Sequence, residues 1–458
     1  MDGDYDYELD YYSDAEYDGI YEDYGGIYPS IMDYTIQDLW HDCLLPTLSD
    51  GFNSSSKLLV CCMLLKLTLS LNFLPEYAFH LTSSLTGLYC LYHFFENEIL
   101  YIILFAVVGY GILLLTNIIL KQYQGIVCVF ANYAFLIICE LFFAEKTLWH
   151  RIRGSQMLLS MKLISLAFDT GSIAKTMPET FACFGYLFHP GTVIFGPWIS
   201  YTTYMNSKQN TKISFSWFYS IVKNLALSFS FLTVSTCWTS WLLYSSGWKW
   251  VDAYRDALSF RSSHYFVSYM SAATAITSGL RISAVVSAFD IEVPRSLVEV
   301  VIWWNVPMHF WLKTYVFKTA RPLGDFIAIL LTYAASSFLH GLNFQLSAVL
   351  LSLGFYTYIE HVLRKKLSNI FNACILARRC RSECDHLFKY DHPYVVITNI
   401  AFGLLSVFHL AYLGVMFDSS SSLEEEGYNM HHTLQKWSDL SFSSHWVALF
   451  CYIFYYLV

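Results

Sequence analysis

The apolar run at 99–120 constrains this chain more than any other feature. Its 22 residues hold no charged side chain, and at about 1.5 Å of helical rise per residue it crosses a hydrocarbon core roughly 30 Å thick. Residues 125–143 repeat the pattern with a single acid, Glu140. Such runs predict an all-α protein, a polytopic transmembrane bundle of about 10–12 membrane helices with interfacial helices and an internal chamber. The spans are expected near 58–74, 80–95, 99–120, 125–144, 183–200, 221–245, 264–286, 296–312, 326–340, 344–362, 395–417 and 442–457. The chamber is expected because Pro190, Gly191, Gly196 and Pro197 interrupt one span. Backbone groups freed at membrane depth need protein or enclosed water as partners. Residues 151–169 and, more weakly, 249–260 mix charges with apolar residues at helical spacing, which predicts helices lying on or dipping into one face.

Charge divides the chain in two. Of its 36 acids, 14 lie in residues 1–56, where no Lys or Arg stands, so the remainder has 27 basic against 22 acidic residues. Residues 1–56 read as an acidic, Tyr-rich disordered tail and 57–458 as the membrane domain. An acidic tail and the lack of a cationic groove exclude a nucleic-acid binder. The 12 Cys, among them Cys61, Cys62, Cys128, Cys139 and Cys237, lie mostly in apolar runs and suggest no disulfide framework.

Orientation follows the basic residues. Arg364, Lys365, Lys366, Arg378, Arg379, Arg381 and Lys389 form the densest cluster and mark a cytosolic loop. The following loop carries Glu424, Glu425 and Glu426 and is expected in the lumen. One helix back from Arg364, His340 falls near the lumenal side.

Two residues stand out chemically. His340 lies at a junction of apolar runs among Ala334, Ala335, Ser336, Ser337 and Gly341. Desolvation keeps an imidazole there neutral and able to act as a base, although on the residues alone a hydrogen-bonded structural His is the plainer reading. Asn305 precedes Pro307, whose missing N–H deprives the Trp303 carbonyl of its helical donor and bends the helix. An interhelical hydrogen bond is its plainer reading. Cys380, Cys384, His386 and His392 have a C-x3-C-x-H-x5-H spacing that departs from common zinc fingers, so no metal ligand is expected and the thiols read as juxtamembrane, open to acylation. Ser336 and Ser337 lack a nucleophile elbow.

The blocks WHRIRGSQM (149–157), GTVIFGPWIS (191–200), EVPRSLVEVV (292–301), WNVPMHFWL (304–312), TYAASSFLHG (332–341), YIEHVLRKKL (358–367), FHLAYLG (408–414) and KWSDLSFSSHW (436–446) carry a resemblance. Over roughly residues 40–458 the chain resembles the membrane-bound O-acyltransferase family, in its branch that modifies Wnt proteins. The resemblance implies that His340 is the general base and that Asn305 positions the donor or its carbonyl. It also implies that Trp304, Tyr333 and Ser336 shape the acyl tunnel. The implied reaction moves palmitoleoyl from palmitoleoyl-CoA to a Wnt serine in the endoplasmic reticulum membrane, with membrane lipids as surroundings and no cofactor beyond that co-substrate. Alternatives are an acyltransferase for a lipid or another peptide, a transporter, and a non-catalytic docking protein for lipid-modified cargo. A transporter predicts inverted repeats and paired intramembrane charges; the sequence shows no repeat and few intramembrane acids.

Overall fold

The computed structural model describes residues 35–71, 75–143, 146–171, 176–209, 212–243, 247–381, 383–417 and 430–458. Most of the acidic tail and the loop with Glu424 to Glu426 lie outside them. The main helices are α1 (Leu45–Ser70), α2 (Glu76–Phe95), α3 (Ile99–Ile119), α4 (Gln124–Ile138), α5 (Lys146–Thr170), α6 (Thr180–Leu187), α7 (Pro190–Val193) and α8 (Phe215–Thr233). They continue with α9 (Lys249–Thr277), α10 (Leu297–Trp304), α11 (Val306–Trp311), α12 (Asp325–His340), α13 (Phe344–Phe371), α14 (Pro393–Gly414), α15 (Met430–Asp439) and α16 (Ser443–Leu457).

Among the described residues six helical runs are long and apolar enough to cross a membrane, or seven when α15 and α16, bent by 72°, count as one. The all-helical, multi-pass expectation holds; among the described residues fewer than ten helices meet that length and composition. One run, Glu76–Ile119, has 44 residues, about 66 Å of helix and so enough for two crossings. It breaks at Glu96, where φ is 48°. Elsewhere the expected spans are not spans. Residues 183–200 form the short helices α6 and α7 followed by a buried irregular stretch. Residues 296–312 are split at Asn305, and 264–286 belong partly to α9, which starts at Lys249. Residues 36–56, expected in the tail, are helical, and the expected boundary after 56 falls inside α1.

The largest departure is α5. Instead of lying at an interface it runs through the core, with Leu159, Leu163, Ile164 and Ala167 buried. Its polar residues point inward as well. Lys162 Nζ donates to the carbonyls of Tyr186 (3.0 Å) and Leu187 (2.9 Å) and to Thr192 Oγ1 (2.9 Å). Those carbonyls belong to the last turn of α6, which has no helical donors left for them. A polar helix is tolerated at membrane depth when protein, not lipid, surrounds it. The N-terminal part of α9, the other expected interfacial segment, likewise packs against α14, where Gly414 lies against Ala257.

The two ends of the bundle are chemically distinct. At one end Lys249 Nζ reaches the Asp439 carbonyl (3.4 Å), and Ser259 Oγ donates to the Ser235 carbonyl (2.8 Å). Two residues past Ser235, Cys237 forms a disulfide with Cys43. This corrects the expectation of a free, buried Cys237. A persistent disulfide belongs to an oxidising compartment, which agrees with the charge argument that expects this end in the lumen. Mapping under non-reducing conditions should recover Cys43 and Cys237 in one linked peptide. Replacing both by Ser should cost about 2–4 kcal/mol of stability, read as a lowered melting temperature; two free thiols in the native protein would contradict the pairing.

The opposite end is built around Arg364, fully buried despite its charge. It donates to the carbonyls of Ile375 (2.8 Å), Arg295 (2.8 Å) and Leu376 (3.1 Å), to Glu360 (3.0 Å) and to Asn399 Oδ1 (2.6 Å). The 372–392 loop, α10 and α14 are thereby joined.

Candidate active site

Between α10 and α11 the helix is broken rather than bent. Asn305 is extended (φ −152°, ψ 91°), and its Oδ1 caps α11 by accepting the Met308 N–H at 3.0 Å. The cap is local, so the interhelical bond expected of Asn305 is not the one that forms. The freed carbonyls find partners elsewhere. Trp303 accepts from the Ser287 N–H (3.2 Å), and the Trp304 carbonyl lies 2.8 Å from His264 Nε2.

Each end of this segment is tied to another helix. Glu360 accepts the Leu297 N–H (2.8 Å), and Tyr315 donates to Asp169 at the end of α5 (3.1 Å). Asn305 is the apex of the break between these two anchors. Trp304 is stacked there between aromatic faces, with ring centroids 4.2 Å from His264 at 8° and 6.2 Å from Phe260 at 26°.

His340 ends α12, and its ring is half-buried with no hydrogen bond among the described residues. The structural-His reading, which requires such a bond, is not supported. Tyr333, Ser336 and His340 are spaced by three and four residues and so follow one stripe of α12. Ser336 is buried, and Tyr333 packs over Gly354 of α13, where an added Cβ would sit 2.7 Å from the ring. Packing joins α12 to the segment that follows Asn305. A buried cluster beneath joins them, with Leu339, Trp311, Trp198 and Leu158, Met161 and Ile164 of α5, and Trp311 Nε1 donates to the Met161 carbonyl at 3.0 Å.

The residues after His340 are clamped. Gly341 has φ 102°, in the left-handed region. Glu140 accepts the Leu342 N–H (3.0 Å) and pairs with Arg153 (3.2 Å), while the Arg153 guanidinium lies directly over Gly341. His264, Glu140 and Arg153 were not singled out as site residues from the sequence. The lone acid in 125–143 was the one available signal, since an intramembrane carboxylate needs a partner.

Two cavities described in the bundle lie elsewhere. One of about 470 Å³ is a groove between α1 and α2 lined by Val60, Leu64 and Tyr89; the other is a small gap near Tyr356 and His409. Neither is the expected chamber at His340.

Residues 99–377, more than half of the chain and including Asn305 and His340, match the model of the MBOAT, membrane-bound O-acyltransferase family. The chain is 39% identical over 455 residues to the protein-serine O-palmitoleoyltransferase porcupine of Homo sapiens, covering 92% of this chain and 98% of that protein. It is 38% identical to the Mus musculus protein of that name over the same shares. Against the Drosophila melanogaster protein of that name it is 34% identical over 354 residues, 69% of this chain and 66% of the relative.

Proposed function

The chain belongs to the membrane-bound O-acyltransferase family, and from that premise we propose that it moves palmitoleoyl from palmitoleoyl-CoA to a serine hydroxyl of Wnt proteins in the endoplasmic reticulum membrane. His340 takes the proton from the serine Oγ as that oxygen attacks the thioester carbonyl. The C–O bond forms, the C–S bond breaks, and the imidazolium returns the proton to the departing thiolate of coenzyme A.

The observation that carries this reading is the His340 ring itself. It is half-buried, free of hydrogen bonds among the described residues, and held at the end of an apolar helix by the Gly341, Glu140 and Arg153 clamp. A base fixed in place with its nitrogens uncommitted is ready to meet a substrate hydroxyl. Asn305, whose Oδ1 caps α11, presents its amide N–H₂ at the apex and orients the donor carbonyl. Trp304, Tyr333 and Ser336 line the path of the acyl chain. Embedding shields the thioester from hydrolysis. The two chemically distinct ends suit a donor made in the cytosol and an acceptor presented in the lumen.

The test supplies the purified chain with labelled palmitoleoyl-CoA and a Wnt-derived peptide carrying the acceptor serine. Label should appear on the peptide and vanish when that serine is Ala. Label found only in lipid would replace the peptide acceptor with a lipid one, and binding of the peptide without transfer would favour a docking protein.

A further inference from the structure

The loop between α13 and α14 gathers four side chains of metal-binding type. The sulfurs of Cys374, Cys380 and Cys384 and a ring nitrogen of His386 all lie within 4.8 Å of one another. Cys374 Sγ is 3.3 Å from Cys384 Sγ and 3.8 Å from His386 Nδ1, and Cys380 Sγ is 3.7 Å from the same nitrogen. With Zn–S near 2.3 Å and Zn–N near 2.0–2.1 Å, the edges of a tetrahedral zinc site are about 3.5–3.8 Å. We propose that Cys374, Cys380, Cys384 and His386 form a structural Cys3His zinc site on the cytosolic face, closed to substrate.

The surroundings fit a ligand set. The other ring nitrogen, His386 Nε2, lies 2.9 Å from Ser368 Oγ, which itself donates to the Ala373 carbonyl at 2.7 Å. Its hydroxyl proton thus committed, Ser368 accepts the Nε2–H and leaves the Nδ1 lone pair facing the three sulfurs. Fixing the second nitrogen in this way is how metal-binding histidines are held in tautomer and orientation. The backbone is equally fixed. The Cys374 N–H donates to the Phe388 carbonyl (2.9 Å), the Phe388 N–H to the Asn372 carbonyl (3.0 Å), and Arg295 Nη2 to the Cys374 carbonyl (2.8 Å).

Charge favours occupancy. Three thiols release three protons on binding, so the divalent ion with three thiolates carries one net negative charge. Lys389 Nζ stands 3.5 Å from Cys384 Sγ to offset it, within a loop that also holds Arg378, Arg379 and Arg381. In the reducing cytosol, close thiols read as metal ligands rather than a disulfide.

The set differs from the spacing seen in sequence. His392 instead packs at a tilt against Phe388, with centroids 4.7 Å apart, and its place is taken by Cys374, six residues before Cys380. The site would stiffen a loop that accepts Ser296 Oγ at the Ala377 carbonyl (2.8 Å), one residue before α10 begins its run to Trp304.

The test measures metal on the full-length chain purified in detergent without added chelator. About one zinc per chain is expected. Cys374→Ser and His386→Ala should each lose most of it, and His392→Ala should keep it. Cobalt replacing the zinc should give the visible d–d absorption of a tetrahedral thiolate site, a readout on the wild-type chain that needs no variant to fold. Chelation should lower the melting temperature and zinc should restore it. Substoichiometric zinc with a Cys374–Cys384 disulfide, or acyl thioesters on these cysteines, would overturn the proposal. Because the readout is metal content, it stands or falls separately from acyl transfer.

Discussion

Replacing His340 by Ala is expected to lower kcat/KM for peptide acylation by about 10²–10⁴-fold, the usual worth of a positioned general base, while the chain still folds and binds palmitoleoyl-CoA. No neighbour is placed to substitute. His264 has its Nε2 beside the Trp304 carbonyl and its face against the indole, so its ring is committed to holding the apex. Removing the His340 ring breaks no hydrogen bond among the described residues, and the melting temperature should move little. Stopped-time transfer assays beside thermal unfolding check this. Turnover at the normal rate by a folded His340→Ala chain would end the base mechanism.

Gly341→Ala should do comparable damage by a different route. Any side chain at φ 102° is strained, at about 1–3 kcal/mol, and the added Cβ would fall 1.8 Å from the Arg153 guanidinium carbon. A free arginine tip would move aside, but this one is held by Glu140 at 3.2 Å with only 10% of its side chain exposed. Displacing it breaks a mostly buried pair, a loss of about 3–5 kcal/mol, and releases the Leu342 N–H from Glu140. Both stability and acyl transfer should fall sharply. Gly111→Ala is the matched control: nothing lies within 4 Å of its added Cβ, and it sits inside α3, where Ala is the better helix former. Equal behaviour of the two variants would show that the clamp does not hold His340.

The apolar spans were legible because lipid imposes length and composition on whatever it touches. The run expected at 99–120 is α3 to within a residue, and 344–362 is the first two-thirds of α13. Helices that contact only protein carry no such imprint. In α5 the periodicity of Arg153, Gln156 and Lys162 is real, but a polar stripe facing water and one facing the carbonyls of Tyr186 and Leu187 have the same sequence pattern. At Asn305 the proline signalled disruption correctly. Whether the helix bends or breaks depended on Ser287 and His264 being near enough to take the freed carbonyls. His264 and Trp304 are 40 residues apart, and Cys43 and Cys237 are 194 apart. Such pairings are properties of the assembled bundle, and connectivity between distant cysteines is not encoded locally.

Arg364 serves at two stages in the life of the chain. During synthesis, charge next to an emerging apolar segment helps to keep its flank on the side where the ribosome works. Once assembly is finished, that same guanidinium has withdrawn from water and from phospholipid headgroups, and every contact it keeps is with other parts of the molecule. A neutral replacement would therefore strike twice: it would weaken the address read at the translocon, and it would remove the keystone around which the finished cytosolic end closes.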